Sequence, residues 1–135
     1  MTAFLDTNIL IEYLVGAEPE KRARSEALLA CVQTGELSVS IAATVILEAC
    51  WVLTQRYELP RRVIRDSLTA IIQLPGLSLE HRDVILESLD LWVRQNPLSF
   101  ADCYHLLYAR HLGLTQIYTF DRKMNRLPGV ARVEP

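Results

Sequence analysis

Long apolar stretches are missing from this 135-residue sequence, although 50% of its residues are hydrophobic. No run approaches the roughly 20 consecutive apolar residues that span a bilayer, so we expect no membrane helix. The start, Met-Thr-Ala-Phe-Leu-Asp, has no basic segment followed by an apolar one, so no signal peptide is predicted. Charged residues make up 22% of the chain, and this composition predicts a packed domain rather than disorder.

Cysteine and glycine motifs are equally scarce. The three cysteines, Cys31, Cys50 and Cys103, show neither CxxC nor zinc-finger spacing, and their apolar or helical surroundings predict reduced core thiols in a cytoplasmic protein. The phosphate loops GxGxxG and GxxxxGK[ST] are absent, which argues against a nucleotide-cofactor fold. A formal charge of only −2 means that a nucleic acid would have to be attracted by a local basic patch or by bound cations.

Short strand patterns alternate with helical patterns along the whole chain. Strands are predicted at 3–5, 37–41, 77–79, 116–120 and 130–133, the first one buried, with helices between them. This alternation indicates a parallel sheet with right-handed crossovers. We therefore expect one α/β domain over residues 1–135, with a central parallel sheet of about four or five short strands flanked by helices.

Four acidic residues stand out by their surroundings. Asp6 follows the first strand, Asp121 follows the strand 116–120, Asp102 starts a late helix and Glu48 interrupts a nearly all-apolar helix. The carboxyl ends of parallel strands lie at the sheet edge where open α/β folds bind ligands. Carboxylates gathered there repel one another unless a cation lies between them, and all-oxygen ligands favour Mg²⁺ or Mn²⁺.

Each of these acids also has a structural interpretation when it is taken alone. Asp6 and Asp121 stand where helices begin, and a carboxylate there caps free N–H groups. Ser99 and Asp102 have the spacing of a capping box. Glu48 would be half exposed or paired with an arginine. For any one of these acids taken alone, the structural role is the commoner one. The four acids together, in this order along the chain, favour one shared cation site.

The motifs around these acids resemble the PIN domain family. They are Asp6-Thr7-Asn8 after the first strand, Glu48 in an apolar helix, Ser-Phe-Ala-Asp opening a late helix, and Thr-Phe-Asp after the following strand. The small size and the order of elements are similar to the VapC-type ribonuclease toxins of toxin–antitoxin pairs. The resemblance covers residues 4–133. Cys-Tyr-His follows Asp102, where the family more often has small residues.

The resemblance implies an endoribonuclease that uses Mg²⁺ or Mn²⁺ to activate the water that cleaves RNA. The implied catalytic residues and metal ligands are Asp6, Glu48, Asp102 and Asp121. Asn8 and Thr119 would fix the orientation of these carboxylates. A cognate antitoxin, a homodimer and a larger assembly with the antitoxin are also implied.

Basic and aromatic side chains outside these motifs allow more than one interpretation. A basic group near Asp121 is expected either to hold RNA phosphates or to be solvated helix ends; its members are Arg110, Arg122, Lys123 and Arg126. The charged face of the second helix, with Lys21, Arg22 and Arg24, is expected to be solvated. Trp51 and Trp92 are expected to be core or interface anchors.

Two other functions fit the same sequence. One is a phosphatase-like hydrolase with Asp6 as its nucleophile. Such enzymes usually carry a second acid two residues later, where this chain has Asn8. The other is a non-catalytic interaction module, because a fold does not fix a function.

Overall fold

Six α-helices and five short strands alternate along residues 2–135, the part of the chain that a computed structural model describes. The contacts divide the chain into two units, one ending at Glu80 and the other beginning at His81. The five strands all pair in parallel, three in the first unit and two in the second.

The first unit is a parallel three-stranded sheet with four helices. Its elements are β1 (Thr2–Phe4), α1 (Thr7–Val15), α2 (Pro19–Thr34), β2 (Ser38–Ile41), α3 (Ala43–Gln55), α4 (Arg61–Ile72) and β3 (Leu77–Leu79). The strand order is β1-β2-β3, and Val39 lies opposite both Ala3 and Leu77. The middle strand points Val39 and Ile41 into the core, where both are buried.

A glycine holds the sheet of this unit against the end of α2. The Gly76 N–H donates to the Val32 carbonyl at 2.9 Å, and the Val39 N–H donates to the Gly76 carbonyl at 2.8 Å. A Cβ at position 76 would collide with the carbonyl oxygen of Leu37 and lie 2.8 Å from that of Val32. Because the neighbouring atoms belong to the backbone, only glycine fits there.

The second unit packs two helices beside a two-stranded sheet. Its elements are α5 (Arg82–Arg94), α6 (Phe100–His111), β4 (Gln116–Tyr118), a 3₁₀ turn (Arg122–Met124) and β5 (Ala131–Val133). Leu89 and Leu106 are fully buried. The rings of Trp92 and Phe100 meet edge to face with centroids 6.4 Å apart, a favourable aromatic geometry.

The α/β class, the parallel strand direction and the number of strands are confirmed, and two details are corrected. The strands form two sheets rather than one central sheet. The first strand is not buried: residues 2–4 are exposed, and burial begins at Leu5. Within its unit β1 lies at the sheet edge with one neighbouring strand, and a short apolar run does not distinguish an edge strand from a central one.

Two of the three cysteines and one of the two tryptophans are buried. No disulfide joins the three cysteines within residues 2–135, and Cys50 and Cys103 are buried as predicted. Trp92 is in the core, but Trp51 is 59% exposed, so it is not a core residue of this chain. Among the helices of the described residues, none is both long and apolar enough to cross a membrane.

Candidate active site

Asp6 is the residue at which β1 gives way to α1. The Leu5 N–H donates to the Ser40 carbonyl at 2.9 Å, so the backbone is tied to β2 up to the residue before Asp6. Asp6 is the N-cap residue of α1, yet its side chain accepts no capping hydrogen bond. The carboxylate is exposed and forms no hydrogen bond or ion pair within residues 2–135. Capping therefore does not account for Asp6, and its oxygens are available to a ligand.

Asn8 stands in the first turn of α1, two residues after Asp6. It is exposed and lines a cavity between α1 and α2. The described residues show no hydrogen bond between Asn8 and the Asp6 carboxylate. The role of Asn8 in orienting Asp6 stays a prediction.

Glu48 lies on the exposed face of α3. The opposite face of this helix is buried, with Ile46 and Ala49 fully inaccessible. Thr44, Leu47, Glu48 and Trp51 line an open cavity of about 510 Å³. Among residues 2–135 Glu48 has no arginine partner, so the ion-pair alternative is not observed. A second carboxylate of the first unit is thus unpaired and open to solvent.

Asp102 is part of the capping box that starts α6. The Ser99 N–H donates to Asp102 Oδ2 at 3.0 Å, and the Asp102 N–H donates to Ser99 Oγ at 3.1 Å. The structural role predicted from Ser-x-x-Asp is therefore confirmed. It uses only Oδ2, which leaves Oδ1 outside the capping box. Because the box fixes the rotamer, it would also orient Oδ1 for a ligand.

Asp121 caps the 3₁₀ turn that follows β4. Its Oδ1 accepts a hydrogen bond of 2.9 Å from the Lys123 N–H, and its Oδ2 lies 3.7 Å from Lys123 Nζ. The Asp121 N–H donates to Thr119 Oγ1 at 3.0 Å. Thr119 thus positions Asp121 through the backbone rather than through the carboxylate.

The four acids fall in pairs on the two units. Asp6 and Glu48 belong to the first unit, and Asp102 and Asp121 to the second. Within either unit, as far as residues 2–135 describe it, no three His, Cys, Asp or Glu side chains are grouped to hold a metal ion. The donor set suits a hard cation, since it is entirely carboxylate and two of its members, Asp6 and Glu48, have no side-chain partner among residues 2–135. The shared site itself stays a prediction.

The predicted basic group is only partly engaged within the second unit. Arg110 forms an ion pair with Glu87 at 2.5 Å, and both side chains are about half exposed, at 47% and 57%. Such exposed pairs contribute little stability and exchange readily for another anion. Arg122 and Arg126 are exposed. Their contact with RNA stays a prediction.

One polar cluster near Asp6 was not predicted from the sequence. Lys21, Arg24 and Ser25 of α2 and Glu12 of α1 line the same cavity as Asn8. The signal was present as the three- and four-residue spacing of Lys21, Ser25 and Leu28, which places these residues on the α2 face toward α1. A helix face rich in charge is usually solvated, and the spacing alone does not show what it faces.

Comparison with known proteins decides the family. The family model described as PIN domain matches residues 3–130, which span most of both units. This chain belongs to the PIN domain family. Two mycobacterial proteins are each 30% identical to this PIN domain over 133 residues, which are 96% of this chain and 97% of their own length. They are a VapC ribonuclease of Mycobacterium bovis (strain ATCC BAA-935 / AF2122/97) and Ribonuclease VapC13 of Mycobacterium tuberculosis (strain ATCC 25618 / H37Rv).

A further sequence relative and one solved structure match most of the chain. A VapC ribonuclease of Aquifex aeolicus (strain VF5) is 25% identical over 131 residues, which are 97% of this PIN domain and 95% of that protein. The crystal structure of Mycobacterium tuberculosis VapC20, described as a sarcin–ricin loop cleaving toxin, covers 91% of this PIN domain and 92% of its own chain, with 17% identity and a TM-score of 0.42.

Proposed function

We propose that this PIN domain is an endoribonuclease toxin that hydrolyses RNA phosphodiester bonds with water activated by Mg²⁺ or Mn²⁺. The observation that carries the proposal is the Asp6 carboxylate, which lies between β1 and α1 and makes no capping hydrogen bond to the helix. The ribonuclease names of the full-length relatives agree with this function.

The four carboxylates have distinct roles in this proposal. Asp6 and Asp102 are the principal cation ligands, Asp121 completes the site directly or through water, and Glu48 holds a second ion or orients the attacking water. Asn8 and Thr119 keep the carboxylates in place. A bound divalent cation supplies a more acidic water and offsets the negative charge that develops on the phosphoryl oxygens. The motifs contain no histidine or lysine to take over that task.

Hydrogen bonds within the chain hold two of these proposed ligands, Asp102 and Asp121, in fixed positions. The capping box of α6 holds Asp102 by Oδ2 and leaves Oδ1 for a ligand. Thr119 fixes the backbone of Asp121 next to β4. Rigid ligands need little reorganisation when a cation binds, which favours a defined coordination geometry.

The direct test is RNA cleavage by the purified chain with Mg²⁺, with Mn²⁺ or with EDTA. Wild type should cut RNA only with a cation, and Asp6→Asn, Glu48→Gln, Asp102→Asn and Asp121→Asn should each abolish most of the cleavage. Glu36→Gln is the matched control, because Glu36 is an exposed acid outside the motifs. Cleavage in EDTA, or full activity of Asp6→Asn, would contradict the proposal. Phosphate release from small phosphoesters with a covalent label on Asp6 would favour the phosphatase-like alternative.

The proposal extends to partners and location. We expect a cognate antitoxin that presents a basic side chain to the carboxylates, since opposite charges favour that encounter. We also expect a homodimer that joins a larger assembly with the antitoxin, in the cytoplasm. Co-expression with the protein encoded beside it, followed by size-exclusion chromatography with light scattering, tests both. A monomer that retains no neighbour-encoded protein would contradict this part while leaving the nuclease proposal standing.

A further inference from the structure

The cavity between α1 and α2 has features of a ligand site in its own right. Its volume is about 470 Å³, within the roughly 300–1,000 Å³ typical of small-molecule sites. Its lining consists of Asn8, Ile9 and Glu12 from α1 and Lys21, Arg24, Ser25 and Leu28 from α2. All of these residues lie in the first unit, and Asn8 is two residues from the candidate ligand Asp6.

One polar group in this lining is buried without a partner. Glu12 Oε2 is buried and lacks a hydrogen-bond partner within residues 2–135. Ser25, which is 3% exposed, lines the same cavity. A Cβ at Gly16 would collide with this Glu12 oxygen, so glycine leaves the space that the carboxylate occupies. Buried polar groups are nearly always paired, and the Glu12 oxygen therefore indicates a hydrogen bond made to a ligand.

The two basic residues of the lining are accessible to an anion. Arg24 is exposed and forms no ion pair within the described chain. Lys21 lies 3.4 Å from Glu18 Oε2, with side chains 58% and 64% exposed, so this pair is weak and easily exchanged. Arginine binds phosphate through two parallel hydrogen bonds, and lysine adds a point charge. The lining therefore combines basic side chains that can bind a phosphate with a buried carboxylate oxygen that can accept a hydrogen bond from a ligand.

We infer that the α1–α2 cavity binds one nucleotide of the RNA strand beside the bond to be cleaved. Arg24 and Lys21 hold a backbone phosphate, while Glu12, Asn8 and Ser25 recognise the nucleoside. A carboxylate oxygen only accepts hydrogen bonds, so Glu12 selects a base amino group or a 2′-hydroxyl. This inference rests on the proposed function and deepens it, because it assigns substrate preference to residues outside the four carboxylates.

The test measures RNA binding separately from cleavage. Full-length Asp6→Asn serves as the non-cleaving background, and fluorescence anisotropy with short single-stranded RNAs gives affinities at several salt concentrations. Adding Arg24→Gln should weaken binding to all sequences by at least about fivefold and reduce the salt-dependence slope by about 0.7, as expected for one lost phosphate contact on a single strand. Arg22→Gln is the matched control, because Arg22 lies on the same helix and pairs with Glu26 at 3.2 Å outside the cavity.

A second variant tests recognition of the nucleoside. Glu12→Gln keeps the shape but replaces one carboxylate oxygen with an amide donor, so the affinity ratio between the best and worst homopolymer should fall by at least about threefold. Circular dichroism melts show whether each variant folds. If Glu12→Gln does not fold, Ser25→Ala takes its place, and the affinity ratio between the best and worst homopolymer should again fall by at least about threefold.

Each outcome separates the cavity from the proposed function. The nucleotide site would be overturned if the Arg24→Gln and Arg22→Gln variants bound RNA equally well and Glu12→Gln left the homopolymer preference unchanged. This conclusion would hold whether or not wild type cleaves RNA. Retained RNA binding together with loss of a co-purifying protein would also overturn it, because the cavity would then belong to a protein interface. If wild type cleaves no RNA but binding still depends on Arg24 and Glu12, the cavity stands and the nuclease proposal fails.

Discussion

The capping box of α6 allows the structural and the proposed catalytic roles of Asp102 to be separated. Ser99→Ala removes the Oγ that accepts the Asp102 N–H at 3.1 Å, and loss of an N-cap hydroxyl costs about 1 kcal/mol of stability. Asp102→Asn keeps an oxygen for the Ser99 N–H but loses the negative charge at the start of the helix, which costs about 0.3–1 kcal/mol. The stability losses of the two variants should therefore be similar.

Their activities should differ sharply. Urea denaturation gives both free energies of unfolding, and the RNA cleavage rate with Mn²⁺ or Mg²⁺ gives the activity. The cleavage rate of Ser99→Ala should remain within a few fold of wild type, because Ser99 only orients a proposed cation ligand. The cleavage rate of Asp102→Asn should fall by at least about 100-fold, because this substitution removes the ligand itself. If both variants lose activity only in proportion to their lost stability, Asp102 is a helix cap and nothing more. That result would refute its assignment as a ligand.

Substitutions at three further positions test the fold and the placement of Asp121. Gly76→Ala should lower the free energy of unfolding by about 1–3 kcal/mol in urea, because its Cβ meets the carbonyls of Leu37 and Val32; unchanged stability would contradict that close approach. Leu106→Ala should cost about 2–5 kcal/mol in the same assay, since Leu106 is fully buried, and a loss below that range would mean that its surroundings collapse around the gap. Thr119→Val removes the acceptor of the Asp121 N–H and should slow RNA cleavage by about tenfold, whereas Thr119→Ser keeps the hydroxyl and should restore the rate.

Local chemistry made the helix boundaries predictable. Proline favours the first position of a helix and glycine the position after its end, and α2 is observed as Pro19–Thr34 with Gly35 at φ 82°. Gly113 likewise follows α6 with φ 76°. These residues act through their own backbone preferences, so neighbouring sequence is enough to assign them. The Ser99–Asp102 capping box was predictable for the same reason.

Features that depend on distant parts of the chain were not predictable in this way. The exposure of residues 2–4 and the division into two sheets depend on strand partners, which short apolar runs do not specify. The sequence also left open whether Asp6 caps α1, and the absence of that hydrogen bond became apparent only in the structure. Arg24 is exposed, as expected for a charged face of α2, but its place beside α1 depends on how the two helices pack.

Thermal melts of wild type and Asp6→Asn, with and without Mn²⁺ or Mg²⁺, test the shared cation site most directly. A cation that binds only the folded chain at 100 times its Kd adds about 2.7 kcal/mol, which raises the wild-type Tm by roughly 5–10 °C. Asp6→Asn should melt no lower than wild type without metal, because it relieves carboxylate repulsion and breaks no cap, and it should gain little from the cation. If cations leave the Tm of both proteins unchanged and Asp6→Asn only destabilises, Asp6 serves α1 alone, and the account of a carboxylate cation site is contradicted.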